Sequence, residues 1–396
     1  MSEFLWMPPF ASTAFPAEAI PPAGQRPTWI EVDFGALDHN LACLRKRLPD
    51  SCRLLAVVKD NAYGHGMVPV ALHLEPQVAM LAVAILEEAV ILRQAGIRCP
   101  ILVLGGLWAG QEAEALSWTA TPVLFSVESI ERWNAAALRS GGRAAYHLKV
   151  DSGMSRWGID SSGLADFLNR RREWDSISLQ GFMTHLACAD SPDESATRAQ
   201  ILRFRECLDL LQKDGCVPQW VHAANSAGIL DHPDSHFNLV RTGIALYGYD
   251  PRPGGNRGLR PVLSLKSRIG LVREIPAGSA VGYGGSYVAA RPTRVATIPI
   301  GYGDGYSRRL SNEGQVLIAG KRVPVIGRVS MDSIAADITH VPEAQMDTQV
   351  VLIGRSGGEE IDAADMAGRL GTIPYEVLTS LSPRIGRAYL TRKEAK

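Results

Sequence analysis

RLLAVVKDNAYGHG, residues 53–66, decides how the chain folds. A run of apolar, β-prone residues ends on a lysine. A polar turn with two glycines follows. That is the outline of a buried strand whose end opens onto a loop. The same design recurs downstream in MLAVAI (80–85), ILVLGG (101–106), TPVLFSV (121–127) and AYHLKV (145–150). It recurs again in LQGFMTH (179–185), WVHAAN (220–225) and FNLVRTG (237–243). Helical patterns lie between most of these runs, as at Glu87 to Gln94, Ser129 to Arg139 and Ala196 to Lys213. Strand–helix alternation calls for parallel strands with helical crossovers. Eight strands predict an α/β fold closed into a (β/α)8, TIM-type barrel over residues 28–260.

Outside that stretch the pattern changes. From 261 to 396 the apolar runs are short and broken by glycine and proline, as in TRVATIPIGYG and KRVPVIGRVS, and helical periodicity is scarce until Ala363 to Arg369. This predicts a separate, mostly β C-terminal domain. Residues 1–27 are rich in proline and read as an irregular arm. A first strand is expected from Trp29 to Phe34.

Lys plus Arg and Asp plus Glu balance at 41 each, so no global field favours nucleic acid or an anionic membrane. Any anion must be held by a local site, and the expected partner is a small molecule. The six cysteines form no CxxC pair, which fits neither a disulfide scaffold nor a zinc ribbon; buried free thiols in a reducing compartment are expected. No apolar run approaches the roughly 20 residues of a membrane helix. The N-terminus lacks a basic region, and Pro8, Pro9 and Pro16 interrupt it, so it does not read as a secretory signal. The cytoplasm is the expected location, and no metal site is expected.

Chemistry in such a barrel sits at the C-terminal ends of the strands. Lys59 is at one of them. Alone, it reads first as a solvated strand end, the usual fate of a lone lysine; the alternative is a lysine holding a cofactor aldehyde. Tyr63 offers a hydroxyl to a phosphate, or packs at a helix start. Ser226, read as the end of strand seven, and Gly243 and Ile244, which follow strand eight, stand where such barrels bind phosphate. Arg241 closes strand eight in apolar surroundings. It either pairs with an acid on a neighbouring helix or donates to an acceptor such as a pyridine nitrogen. His185 can bridge Arg241 to a reacting phenol, or be structural. Arg156, in KVDSGMSRWG, is placed to clamp a carboxylate or a phenolate.

Taken together, AVVKDNAYGHG (56–66), HLKVDSGMSRWG (147–158), HAANSAG (222–228), LVRTGIALYG (239–248), VGYGGSY (281–287), IPIGYGDGYSR (298–308) and GRVSMDS (327–333) resemble the signature blocks of alanine racemase. They run in order over about 30–390. The resemblance implies a pyridoxal 5'-phosphate enzyme, a homodimer with shared active sites, that interconverts L- and D-alanine, a peptidoglycan precursor. It implies that Lys59 binds the cofactor aldehyde and acts as one base. Tyr283, from the second subunit, is the other. It assigns Tyr63, Ser226, Gly243, Ile244 and Tyr375 to the phosphate, and Arg241 to the pyridine nitrogen with His185 linking it to Tyr283. Arg156 and Met331 meet the substrate carboxylate, Tyr302 narrows substrate access, Asp332 supports catalysis, and Lys149 matches a lysine carbamylated in some members. Arg156 and His185 are the expected cations that favour a phenolate at Tyr283. There are departures: Asp60 stands where many members have a small or neutral residue, Ser330 replaces a frequent cysteine, and TSLSPRIGR (379–387) is a divergent ending.

Other readings stay in view. The same parts can serve a racemase for serine or for several small amino acids. A fold-related decarboxylase would put an acid on the ring nitrogen and a cysteine near the substrate; here Arg241 stands there, and no cysteine follows 216. A zinc-assisted dehydratase would want His and Cys ligands in the second domain, where only His340 remains; His232 and His236 are read as a loop. A non-catalytic cofactor carrier would have no use for Tyr283.

Overall fold

The structure, a computed structural model, describes Ala14, Phe15 and residues 26–391 apart from Asn256. Most of the proline-rich arm lies outside the described residues. The chain divides into two compact units, one of residues 39–62 and 70–259, the other of residues up to 38, 63–69 and from 260 on.

The first unit is the barrel. Its strands are Arg53–Val57, Met80–Val83, Ile101–Val103, Ala120–Leu124, Ala144–Lys149, Ile177–Met183, Trp220–His222 and Leu239–Thr242. They pair in parallel in chain order, and the eighth pairs with the first. Strands seven and eight are joined by the Arg241 N–H to the Ala224 carbonyl at 3.0 Å and the Asn238 N–H to the Val221 carbonyl at 3.4 Å. All four residues of Met80–Val83 are buried, as expected where helices cover the outside and side chains fill the inside. The helices follow local rules. Val127–Ser140 starts at Ser126, whose side chain accepts the Ser129 N–H, and stops at left-handed Gly141; Ile130 and Trp133 go to the core. Each such side chain stabilises the fold by about 1.5–3 kcal/mol.

One contact inside the barrel dictates a residue type. Gly181 pairs with His147 across strands five and six, and a Cβ at Gly181 would lie 2.3 Å from the His147 ring. Only glycine leaves room for that imidazole.

The second unit is a twisted sheet of eleven strands among the described residues. Leu263–Arg268 shows the expected alternation, with Leu263, Leu265 and Ser267 buried. Ser267 is tolerated because its hydroxyl pairs with that of Thr28 at 2.9 Å. The strand expected near residue 29 spans Thr28–Asp33, but it does not lie with the barrel strands. It pairs with Leu263–Arg268 and Gly386–Leu390 in this sheet. Its pairing partners lie more than two hundred residues away in sequence, so no local pattern announces it. Ala14–Phe15 adds to the edge of Gly386–Leu390. Helices Ala363–Leu370 and Pro374–Thr379 follow the sheet strands. All six cysteines are free, but only Cys52 is buried; Cys43, Cys99, Cys207 and Cys216 are half-buried and Cys188 is exposed, so the expectation of buried thiols holds at one position. No helix among the described residues is long and apolar enough to cross a membrane.

Candidate active site

Lys59 lies two residues past barrel strand Arg53–Val57. The turn that follows is unusual. Asp60, Asn61, Ala62 and Tyr63 all have positive φ, at 52°, 56°, 52° and 52°. Left-handed backbone costs an L-residue roughly 1–2 kcal/mol, so the turn must be held by its surroundings. The Ala62 N–H bonds to the Val58 carbonyl at 2.9 Å. The buried Glu88 carboxylate accepts the Asp60 N–H at 2.6 Å and the Ala84 N–H at 2.7 Å. Burial raises the Glu88 pKa despite these two donors. Lys59 Nζ stands 3.7 Å from Asp60 Oδ2, both side chains partly exposed, so this pair holds the lysine only weakly.

Arg241 is buried among neutral acceptors. One guanidinium nitrogen donates to His222 Nδ1 at 3.0 Å and to the His222 carbonyl at 3.1 Å. The other donates to the Thr184 and Ala223 carbonyls, both at 2.9 Å, and to His185 Nδ1 at 3.1 Å. None of these partners is a carboxylate, so the salt-bridge reading of Arg241 falls away. Burial pulls its pKa to about 9, which still leaves it a cation at neutral pH. Because guanidinium only donates, it fixes the imidazoles beyond it. His222 accepts at Nδ1, so its Nε2–H donates to His147 Nδ1 at 2.9 Å. Burial, with the Arg241 charge, keeps His222 neutral, and burial holds His147 at about 3.

His185 corrects an expectation. Burial first, then the charges of Arg241, Lys149, Arg156 and Lys59, push its pKa far below the usual range. It is neutral at pH 7 and adds no positive charge beside a phenol. What it offers is an Nε2–H, since Nδ1 is taken by Arg241. Lys149 is shifted in the same way: burial, Arg241 and Arg156 lower it to about 8, against a smaller raising effect of Asp151. The Asp151 carboxylate shapes the loop carrying Arg156, accepting backbone N–H groups from Gly153, Met154 and Arg156.

Ser226 does not end strand seven but opens helix Ser226–Asp231, capped by Asn225. Its hydroxyl accepts the N–H groups of Gly243 at 3.1 Å and Ala245 at 3.3 Å, folding the loop after strand eight around it. Ile244, between them, is buried. His232 and His236 each bond backbone carbonyls.

In the sheet unit, the Tyr63 and Tyr375 rings lie 6.0 Å apart. Buried Arg387, from the divergent ending, donates through Nε to the Gly64 carbonyl at 2.9 Å and so fixes the residue after Tyr63. Tyr302 and Met331 are brought together: the Tyr302 N–H reaches the Ser330 carbonyl at 3.0 Å, and the Gly303 N–H reaches that of Met331 at 2.9 Å. Asp332 accepts from Arg384 at 2.7 Å. Tyr283 belongs to a separate short turn, Tyr283–Gly285, and is 73% exposed, far more than an ordinary tyrosine. Sequence reasoning missed Glu88, His147, His222, Asp304 and Arg384. Only His147 and His222 left a signal, as histidines within otherwise apolar strands.

Two family models match in order. The alanine racemase N-terminal domain covers residues 32–251, and the alanine racemase C-terminal domain covers 262–389. The alanine racemase of Syntrophobacter fumaroxidans is 44% identical over 357 residues, 89% of this chain and 95% of that protein. The crystal structure of alanine racemase from D-cycloserine-producing Streptomyces lavendulae superposes with a TM-score of 0.89 at 36% identity, over 93% of this chain and 98% of that one. The Bartonella henselae alanine racemase, solved with covalently bound pyridoxal phosphate, gives a TM-score of 0.84 at 32% identity, over 92% and 99% of the two chains. Agreement over both units, in sequence and in backbone, makes this chain a member of the alanine racemase family.

Proposed function

We propose that Lys59 and Tyr283 are the two proton carriers of this pyridoxal-phosphate-dependent alanine racemase, one on each face of the substrate α-carbon. The enzyme interconverts L- and D-alanine. The cofactor, when bound, supplies the electron sink that makes an α-proton removable, and the protein supplies position and electrostatics. The donor set fits that group. Lys59 would hold the aldehyde, and Ser226, Gly243 and Ile244 would hold the phosphate, with the Tyr63 and Tyr375 hydroxyls as further donors. Arg241 would donate to the pyridine nitrogen. A buried guanidinium with no carboxylate partner can only donate, so it would favour an unprotonated ring nitrogen.

The observation that carries this reading is the Lys59 turn. Four consecutive left-handed residues kept at a strand end by a buried carboxylate are strain stored where a functional side chain must be aimed. From there Lys59 Nζ takes or returns the α-proton on one face, and Tyr283 Oη does so on the other. A free phenol is a poor base at neutral pH, so a cation must favour its phenolate. With His185 neutral, that task falls to Arg156, and His185 keeps the role of a hydrogen-bond link to Arg241. Arg156 and Met331 meet the substrate carboxylate, Asp332 supports them, and Tyr302 narrows access. We assign the work to a cytoplasmic homodimer, Tyr283 serving Lys59 of the partner subunit, with D-alanine destined for peptidoglycan precursors. A chiral assay over a panel of small L-amino acids tests the specificity. Alanine is expected to be inverted far faster than serine, and equal rates would replace an alanine racemase by a broad one.

Lys149 completes the set as a carbamate. An amine with a pKa of about 8 is roughly half neutral at pH 8, against well under 1% for an ordinary lysine. The neutral amine attacks CO2, forming an N–C bond and releasing a proton. The product is an anion where Arg156 and Arg241 had faced a third cation. Growth of a carbamate carbon signal on adding 13C-bicarbonate, absent in Lys149→Met, is the expected result. No such signal at pH 8 would refute the assignment.

A further inference from the structure

Asp304 is a fully buried carboxylate in the sheet unit. Burial alone would raise its pKa, but bonds from Arg26, Arg384 and the Gly301 N–H hold it below the usual carboxylate range. Arg26 grips it with two nitrogens, at 3.0 and 2.7 Å. The Gly301 N–H reaches it at 3.0 Å and Arg384 Nε at 2.7 Å. Arg384 then spends a second nitrogen on the exposed Asp332, at 2.7 Å. One guanidinium thus bridges an immobile carboxylate and a surface one, using the fork that lysine lacks.

The backbone around Asp304 leads to the same loops. The Ser382 N–H bonds to the Asp304 carbonyl at 3.0 Å. A Cβ at Gly301 would lie 2.2 Å from the Ser330 carbonyl oxygen, so the 301–304 and 330–332 loops touch main chain to main chain. A Cβ at Gly303 would lie 2.8 Å from the Arg384 guanidinium, so glycine there keeps the path to Asp332 open. Tyr302, Met331 and Asp332 therefore stand on two loops with a common anchor.

We propose that Asp304 and Arg384 are positioning residues for substrate: the buried carboxylate orients Arg384, and Arg384 fixes Asp332 and the Met331 loop. This rests on the reading above that Met331 and Asp332 face the substrate. Arg26 supplies a matched control, because it shares Asp304 but makes no bond to Asp332.

The test compares Arg384→Ala, Arg384→Lys, Arg26→Ala, Met331→Ala and Asp332→Asn in the holoenzyme, reading thermal midpoint, and KM and kcat for each enantiomer. Arg26→Ala and Arg384→Ala are expected to lower the midpoint alike. Only Arg384→Ala is expected to raise KM, about tenfold, the size of one lost charge-assisted bond, with a smaller change in kcat. Arg384→Lys, which reaches one carboxylate but not both, is expected to raise KM at a near-normal midpoint. It decides the matter if the alanine variant does not fold. Equal KM changes in Arg26→Ala and Arg384→Ala would make the cluster merely structural. A rise in Met331→Ala and Asp332→Asn with none in the Arg384 variants would overturn this proposal alone. Unchanged KM in all of them would overturn the placement of the loop against substrate.

Discussion

Lys59→Ala is expected to yield a folded protein without the visible absorbance of lysine-bound cofactor and with activity lowered by roughly 10⁴-fold or more, the upper range for loss of an acid–base group. Folding is expected to survive because Lys59 has only a weak, partly exposed ion pair to lose. The turn that aims it stays in place, since Glu88 and the Val58 carbonyl hold backbone N–H groups rather than the lysine side chain. An unchanged visible band in the purified variant would remove Lys59 from the cofactor.

The second large effect is in Tyr283→Phe. The residue is 73% exposed, so stability should hardly change. The expected fall in kcat is about 10²–10⁴-fold, the worth of one positioned acid–base group. The loss should be asymmetric. In deuterated solvent, α-proton exchange should persist from the enantiomer whose proton Lys59 takes and stop from the other. Unchanged exchange from both would leave Tyr283 without a role in proton transfer. Mixing Tyr283→Phe with Lys59→Ala adds a test across subunits. Random assembly makes half the molecules mixed dimers with one intact site of two, so roughly a quarter of normal activity is expected to return. Two inactive pools that stay inactive after exchange would rule out a shared site.

The barrel was legible because most of its strand residues are buried and read as short, mainly apolar runs between helical patterns. Lys59, Arg241 and Ser226 were legible because the topology puts strand ends together. Other features depend on information that a local pattern does not contain. Thr28–Asp33 finds Gly386–Leu390 only through long-range pairing. The left-handed turn at Asp60–Tyr63 has no glycine to betray it, only Asp60 and Asn61, residues that tolerate that backbone. Glu88 resembles any acid in a helix's first turn until the structure shows it buried against the turn. His185 reads as a candidate cation until its burial, the largest cause, and the charge of Arg241 beside it are counted. Arg384 sits in a stretch that looked merely divergent; its worth lies in carboxylates 80 and 52 residues away.

The histidines behind Arg241 carry a further consequence. Because the guanidinium can only give protons, the polarity of every bond from Arg241 through His222 to His147 points one way, and Gly181 exists to admit the last ring. A Cβ at position 181 would collide with the His147 ring, and an apolar residue in place of His222 would leave Arg241 and His147 each without a partner. The four positions are therefore energetically coupled, so that the cost of changing one depends on what stands at the other three.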